Sequence, residues 1–314
     1  MPELKNLKPL NIGFFGEAMI EISGEPLSKN FSGDVLNTAI YLKRLSRKSK
    51  QDQRNINCKF ITALGKDSIS DEMMAVWEQQ GLDLELVVRL RDKKPGLYLV
   101  ENFADGERVF HYWRDSSAAK YYFQSEQSKL ADVLNSNQLD YFYLSGISLA
   151  ILSPDDRRNL LGLLGAFRDR GGKIIFDNNY RPALWEAGAV EDIYLSILGL
   201  SYIALLTDVD ELLVFGSDDS DEIIQRCRSL GVTEIVIKYG ADPCVIYAEN
   251  RKIAVPSCDV DRVVSTSAAG DSFAAAYLYC RLLGGPIDEA ARQGHDLAAK
   301  VIQYSGAIIP EAAH

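Results

Sequence analysis

Cysteine and histidine are scarce in this chain: five cysteines (Cys58, Cys227, Cys244, Cys258, Cys280) and three histidines in 314 residues. The cysteines are odd in number, widely scattered and form no CxxC pair. A disulfide framework or a zinc cluster therefore has no support, and idle thiols in a reducing compartment are expected. No apolar run reaches the ~20 residues needed to cross a bilayer. The opening MPELKNLKPL lacks the apolar segment of a signal peptide, so a cytoplasmic chain without a membrane partner is expected. Basic residues are outnumbered, 34 Lys and Arg against 44 Asp and Glu, for a formal net charge of −10. Nucleic acid is a poor partner for such a chain, because its phosphates need a basic face. A small anionic ligand would need a local cluster of Arg and Lys. GxxxxGK[ST], and GxGxxG after the first strand, are missing, which weighs against P-loop and dinucleotide-binding chemistry. GxSxG and HExxH are missing too.

What is present is an alternation. Short β-rich runs (Ile12 to Phe15, Phe60 to Ala63, Tyr141 to Leu144, Lys173 to Phe176, Ile203 to Leu206, Glu234 to Lys238) are separated by amphipathic stretches such as Val35 to Leu45, Asp71 to Gln80 and Pro154 to Arg168. This pattern predicts an α/β fold with a parallel sheet covered on both faces. Ligands then bind at the carboxyl ends of the strands. Ala18 to Ser32 and Pro95 to Trp113 break the rhythm. In the second, Leu97 to Val100 and Val109 to Trp113 flank Ala104-Asp105-Gly106, a hairpin signal. These stretches read as a small separate sheet, either a lid or a plain surface hairpin. The polar run Ser46 to Asn55 reads as a solvated loop.

Polar clusters punctuate the chain. Ser265 to Phe273 (STSAAGDSF) leads into a helix, Ser272 to Leu283, that is apolar nearly all round. Small residues at Ala268, Ala269 and Gly270 let an anion approach the backbone, where free N–H groups and the helix dipole hold it. Asp271 at that junction is a base for a nearby hydroxyl or simply a helix cap. Beside the dipole it is expected to be ionised at neutral pH. Asp177-Asn178-Asn179-Tyr180-Arg181 follows a strand. If extended, it puts a carboxylate, an amide and a guanidinium (Asp177, Asn179, Arg181) on one side. Ser32-Gly33-Asp34-Val35-Leu36-Asn37 opens the first long helix. Capping explains Asp34 but not Asn37 on an apolar face. Tyr112-Trp113-Arg114, with Tyr98 on the paired strand, would clamp a small polar acid, or belong to an ordinary aromatic-rich hairpin. Lys238-Tyr239-Gly240-Ala241-Asp242 would border a nucleotide, or form a plain turn. Asp208 and Glu211 would hold a metal through water, or serve as cap residues.

Together these segments resemble the pfkB, or ribokinase-like, carbohydrate kinases. STSAAGD is similar to the family's second signature, DTTGAGD; SGDVLN resembles the first, and DNNYR its D-x-N-x-R strand end. They occur in family order over about the whole chain. The resemblance implies one ribokinase-like domain over residues 1–314, with a mostly parallel central sheet, helices on both faces and a small β lid from about 18–32 and 95–114. GEAMIEIS, KPGLYLVE, HYWRDSSAAK, YLSGISLAILSP, IIFDNNYRPALW and VIQYSGAIIP are further similar to those members that phosphorylate 2-dehydro-3-deoxy-D-gluconate on its 6-hydroxyl with ATP and Mg²⁺.

Carried over, the resemblance makes Asp271 the base and the N–H groups of Ala268, Ala269, Gly270 and Asp271 the anion hole. Gly33, Asp34 and Asn37 would hold sugar hydroxyls. Tyr98, Tyr112, Trp113 and Arg114 would come from the lid, with Arg114 facing the substrate carboxylate. Arg181 would bridge substrate and phosphate. Asn179, Lys238, Gly240, Ala241 and Asp242 would line the nucleotide, and Asp208 and Glu211 would support Mg²⁺ through water. The chain departs from the family at Ser32 (usually Gly), at Ser265, Ser267 and Ala268 (usually Asp, Thr and Gly) and at Asp208 (usually Asn). Two other readings stay open: a pfkB kinase for a neutral ketose such as fructose, and a non-catalytic sugar-sensing protein. Apolar Leu97, Leu99, Val109 and Phe110 would suit pairing of the lid with another copy of the chain.

Overall fold

The computed structural model describes residues 8–24, 26–48, 54–102, 108–186, 188 and 190–313. Its strands are β1 (Leu10–Phe15), β2 (Met19–Ser23), β3 (Ser28–Ser32), β4 (Ile56–Ile61), β5 (Ala63–Gly65), β6 (Val88–Leu90), β7 (Gly96–Asn102), β8 (Arg108–Trp113), β9 (Tyr141–Ser145), β10 (Lys173–Asp177), β11 (Ile203–Thr207), β12 (Glu234–Lys238), β13 (Cys244–Ala248) and β14 (Arg251–Val255). The α-helices are α1 (Asp34–Lys48), α2 (Ser68–Gln79), α3 (Leu130–Asn135), α4 (Gly146–Ala150), α5 (Pro154–Asp169), α6 (Val190–Leu198), α7 (Asp208–Phe215), α8 (Ser220–Ser229), α9 (Ala269–Leu282) and α10 (Ile287–Val301).

An eight-stranded sheet runs in the order β14-β13-β12-β11-β10-β9-β1-β4. Pairing is parallel from β4 to β12 and antiparallel for β13 and β14. A mostly parallel sheet with helices on both faces is what the alternation predicts. Side-chain alternation fills both faces: Ile175, Ile203 and Leu205 join one core with α1, α9 and α10, while Ile174, Phe176, Ala204 and Leu206 join the other with α5 and α6. A strand buried on both sides needs apolar residues throughout. Burial of each large aliphatic or aromatic side chain contributes about 1.5–3 kcal/mol. Helix α9 is buried nearly all round because α1 and α10 pack against it from two sides.

Some elements escape the sequence reading. The hairpin β13–β14 turns at Glu249 and Asn250, both left-handed (φ 54° and 58°), and Glu is not a residue that announces such a turn. The predicted run Phe60 to Ala63 straddles β4 and β5, which Thr62 separates. The polar run from Ser46 does not end the first helix at Leu45. Helix α1 continues to Lys48, so Ser46 to Lys48 are helical, and residues 49–53 lie outside the described residues.

A second, four-stranded sheet has the order β3-β2-β7-β8. It holds the two stretches that break the alternation. The turn Ala104-Asp105-Gly106 lies outside the described residues. Among the described residues no helix is long and apolar enough to cross a membrane. All five cysteines are free thiols, and burial pushes those of Cys58 and Cys227 up to about 12.

Candidate active site

A cleft of about 1420 Å³ opens between the carboxyl ends of the main sheet, the small sheet and the start of α9. Gly33, Asp34, Tyr98, Tyr112, Asn179 and Arg181 line it, together with Lys238, Gly240, Ala268, Ala269, Gly270 and Asp271. Clusters more than 200 positions apart in the chain thus share one wall. Asn37 stands just behind: it is buried, and its Nδ2 donates to the Asp271 carboxylate at 2.8 Å. That contact explains a polar amide on an apolar helix face. Thr38 Oγ1 donates to the Asp271 carbonyl at 3.3 Å, which ties α1 to α9 a second time.

The start of α9 is shaped by Ala268, which is left-handed at φ 58°. An L-residue there costs about 1–2 kcal/mol relative to glycine. The N–H of Ala269 donates to the Thr266 carbonyl at 3.2 Å, whereas those of Gly270 and Asp271 have no acceptor among the described residues. Two open donors and a helix dipole therefore face an incoming anion. Lys238 Nζ adds a positive charge: it lies 3.0 Å from Asp177 Oδ2, and 3.6 Å from where a Cβ on Gly270 would sit.

Asp177, Asn179 and Arg181 do reach the same cleft, but not through an extended chain. The backbone turns at Asn179 (φ 21°), whose Nδ2 donates to Asp34 Oδ2 at 2.7 Å. Asn178, between them, is fully buried and structural: its side chain meets Thr207 and Glu211.

Several expectations change. Asp271 does not behave as a freely ionised cap. Burial, then the nearby Asp34 and, more weakly, Asp177, push its carboxyl up to about 8, against the pull of Asn37 and Lys238. Trp113 is 60% exposed and does not line the cleft. Strand alternation turns it outward beside His111, while Tyr112 and Phe110 face Tyr98. Arg114 neither lines the cleft nor stands free: its Nη2 donates to the buried carboxylate of Glu17. Glu211 is fully buried, with one oxygen on Asn178 and the other on Arg226, so it holds the fold rather than a metal. Asp208 begins α7 outside the cleft lining, and Asp210, two residues on, lines it. Two helical positions are about 200° of rotation, enough to reverse the facing. Asp210 accepts from the Tyr180 N–H at 3.1 Å, and burial raises its carboxyl. Ala241 and Asp242 close a turn beyond the cleft, which Gly240 lines.

Apolar Val209, Val263, Phe273 and Ala298 also line the cleft, together with His295, and sequence reading missed them. His295 packs edge-on against Phe273 at 5.0 Å, with Nε2 3.2 Å from the Val255 carbonyl, and burial lowers its pKa. No local motif marks these residues, because α10 brings His295 and Ala298 in from a distant segment.

Residues 13–313 match the profile of the pfkB family carbohydrate kinases. The chain belongs to this family. This pfkB chain is 47% identical over 308 residues to the 2-dehydro-3-deoxygluconokinase of Dickeya dadantii, covering 96% of its own length and 97% of the relative's. Its fold is similar to that of the 2-dehydro-3-deoxygluconokinase of Thermotoga maritima, with a TM-score of 0.83 at 17% identity, covering 96% and 95% of the two chains. It is also similar to a putative ribokinase II from Escherichia coli solved with ATP and Mg²⁺, with a TM-score of 0.79 at 21% identity, covering 96% and 94%.

Proposed function

We propose that this pfkB kinase transfers the γ-phosphoryl group of ATP to the 6-hydroxyl of 2-dehydro-3-deoxy-D-gluconate. The observation that carries the reading is Asp271: a carboxylate on the cleft wall, held by Asn37 and next to the open N–H groups of Gly270 and Asp271. In this reading the C6 oxygen attacks the γ-phosphorus while the bond to the β–γ bridging oxygen breaks. ADP leaves with that electron pair, and the hydroxyl proton passes to ionised Asp271. The open N–H groups, Lys238 and Arg181 stabilise charge on the transferring group. A carboxyl raised to about 8 is a stronger base than an ordinary aspartate and is matched to neutral pH.

The apolar lining residues Val209, Val263 and Phe273 suit a nucleotide base, with the phosphates near Lys238 and Gly270. Mg²⁺ would neutralise phosphate charge when bound with ATP. Asp177 and Asp210 supply the hard oxygen donors that such a cation takes, and Asp208 stands nearby at the head of α7. Gly33, Asp34 and Asn179 would hold sugar hydroxyls. The small sheet would serve as a lid, carrying Tyr98, Tyr112 and Arg114, with Arg114 toward the substrate carboxylate. A cytoplasmic location goes with this reading.

The test is ADP release with ATP and a panel of sugar acids and neutral ketoses. The sugar acid should give the higher kcat/KM, and Asp271→Asn should abolish turnover while keeping the fold. Fructose outcompeting the acid would overturn the substrate, and near-normal turnover in Asp271→Asn would overturn the base.

A further inference from the structure

Glu17 is a buried acid that the proposed chemistry does not use. It lies between β1 and β2, is 2% exposed, and gives one carboxylate oxygen to Arg114. Its other oxygen is buried with no partner among the described residues. The surroundings are built for this side chain. A Cβ on Gly96 would come within 2.9 Å of Glu17 Oε1 and 3.1 Å of the Arg114 Cβ, so β7 begins with glycine where the pair passes. A Cβ on Gly33 would come within 2.2 Å of the Glu17 carbonyl, so the same residue presses its backbone on the cleft wall.

Arg114 is held at one edge only. Glu17 is its only side-chain hydrogen-bond partner among the described residues, and its side chain is 11% exposed. The guanidinium lies 5.8 Å from the ring centre of Tyr112, a cleft residue. A guanidinium carries its donors in a rigid planar fork, so fixing one edge aims the other. We infer that Glu17 is the positioning residue for Arg114, anchoring one edge of the guanidinium so that the free edge is presented to the carboxylate of a sugar acid. This rests on the sugar-acid reading given above. Glu17 thereby helps select acids over neutral sugars without touching the substrate. The carboxylate sits at the opposite end of the substrate from the reacting hydroxyl, so the effect falls on binding.

The experiment is a double-mutant cycle on the full chain with ATP, using 2-dehydro-3-deoxy-D-gluconate and fructose. Glu17→Gln should raise KM for the acid about tenfold, as expected for loosening a charged hydrogen bond, with kcat within about twofold of wild type. KM for any fructose turnover should not move. Added to Arg114→Ala, Glu17→Gln should cost no further activity, and it should recover melting temperature, because Arg114→Ala alone strands a buried charge. An unchanged KM in Glu17→Gln, or losses that multiply in the double variant, would overturn the role. If Glu17→Gln does not fold, Glu17→Asp keeps the charge and shortens the reach, and the same split between KM and kcat is expected of it. A wild type that phosphorylates fructose but not the acid sinks the proposed function itself. A wild type active on the acid, with Glu17→Gln indistinguishable from it, sinks the positioning role alone.

Discussion

Asp271 should make both activity and stability depend on pH, in opposite directions. With a carboxyl near 8, about one molecule in ten is ionised at pH 7 and about half at pH 8. Rates with both substrates far below saturation report the free enzyme. They should rise nearly tenfold per unit at acid pH, about fivefold from pH 7 to 8, and level off above 9. Stability runs the other way. A carboxyl whose folded pKa lies above its unfolded value near 4 favours the fold most when protonated. Its contribution is complete below pH 4 and is lost as pH rises through 8. The full shift at 1.36 kcal/mol per unit is an upper bound, because Asp271 is only partly covered in the open cleft. A loss on the order of 2 kcal/mol by pH 8 follows. Asp271→Asn should be inactive, should not share this loss and should exceed wild type in stability at pH 8. Urea unfolding of the ligand-free protein from pH 5 to 9 measures the difference. A wild-type rate flat across pH 6 to 9, or parallel stability curves for the two proteins, would refute the reasoning.

Other outcomes follow from single contacts. Ala268→Gly relieves a left-handed alanine and should stabilise by about 0.5–1 kcal/mol after the entropy of the unfolded chain is counted, whereas β-branched Ala268→Val should destabilise; urea midpoints give both. Gly33→Ala drives a methyl into the Glu17 carbonyl and should destabilise by about 2 kcal/mol and raise KM for the sugar, read by melting and by initial rates. Arg226→Ala strands the fully buried Glu211 and should destabilise by about 3 kcal/mol, while Arg226→Ala with Glu211→Gln recovers part of it in the same unfolding assay.

The sequence by itself determined the layers and where the site would lie. Apolar runs of strand length between amphipathic helices leave a parallel sheet covered on both faces as the arrangement that buries them. The polar clusters at Asp177, Lys238 and Asp271 mark its strand ends and a helix start because those positions carry backbone groups that need partners or ligands. Asn37 announced itself as an amide where the helix wanted an aliphatic side chain. Tertiary structure alone decided which charges meet. Glu211 and Asp210 are neighbours in the chain, yet helix rotation gives one to Arg226 and the other to the cleft. Trp113 and Arg114 are adjacent, yet one faces outward and the other is claimed by Glu17, ninety-seven positions away. The proton affinity of Asp271 is of the same kind. A helix dipole can be read from sequence, but the burial and the two carboxylates that overrule it arrive from α1 and β10, and electrostatic energy depends on distance through space, not along the chain.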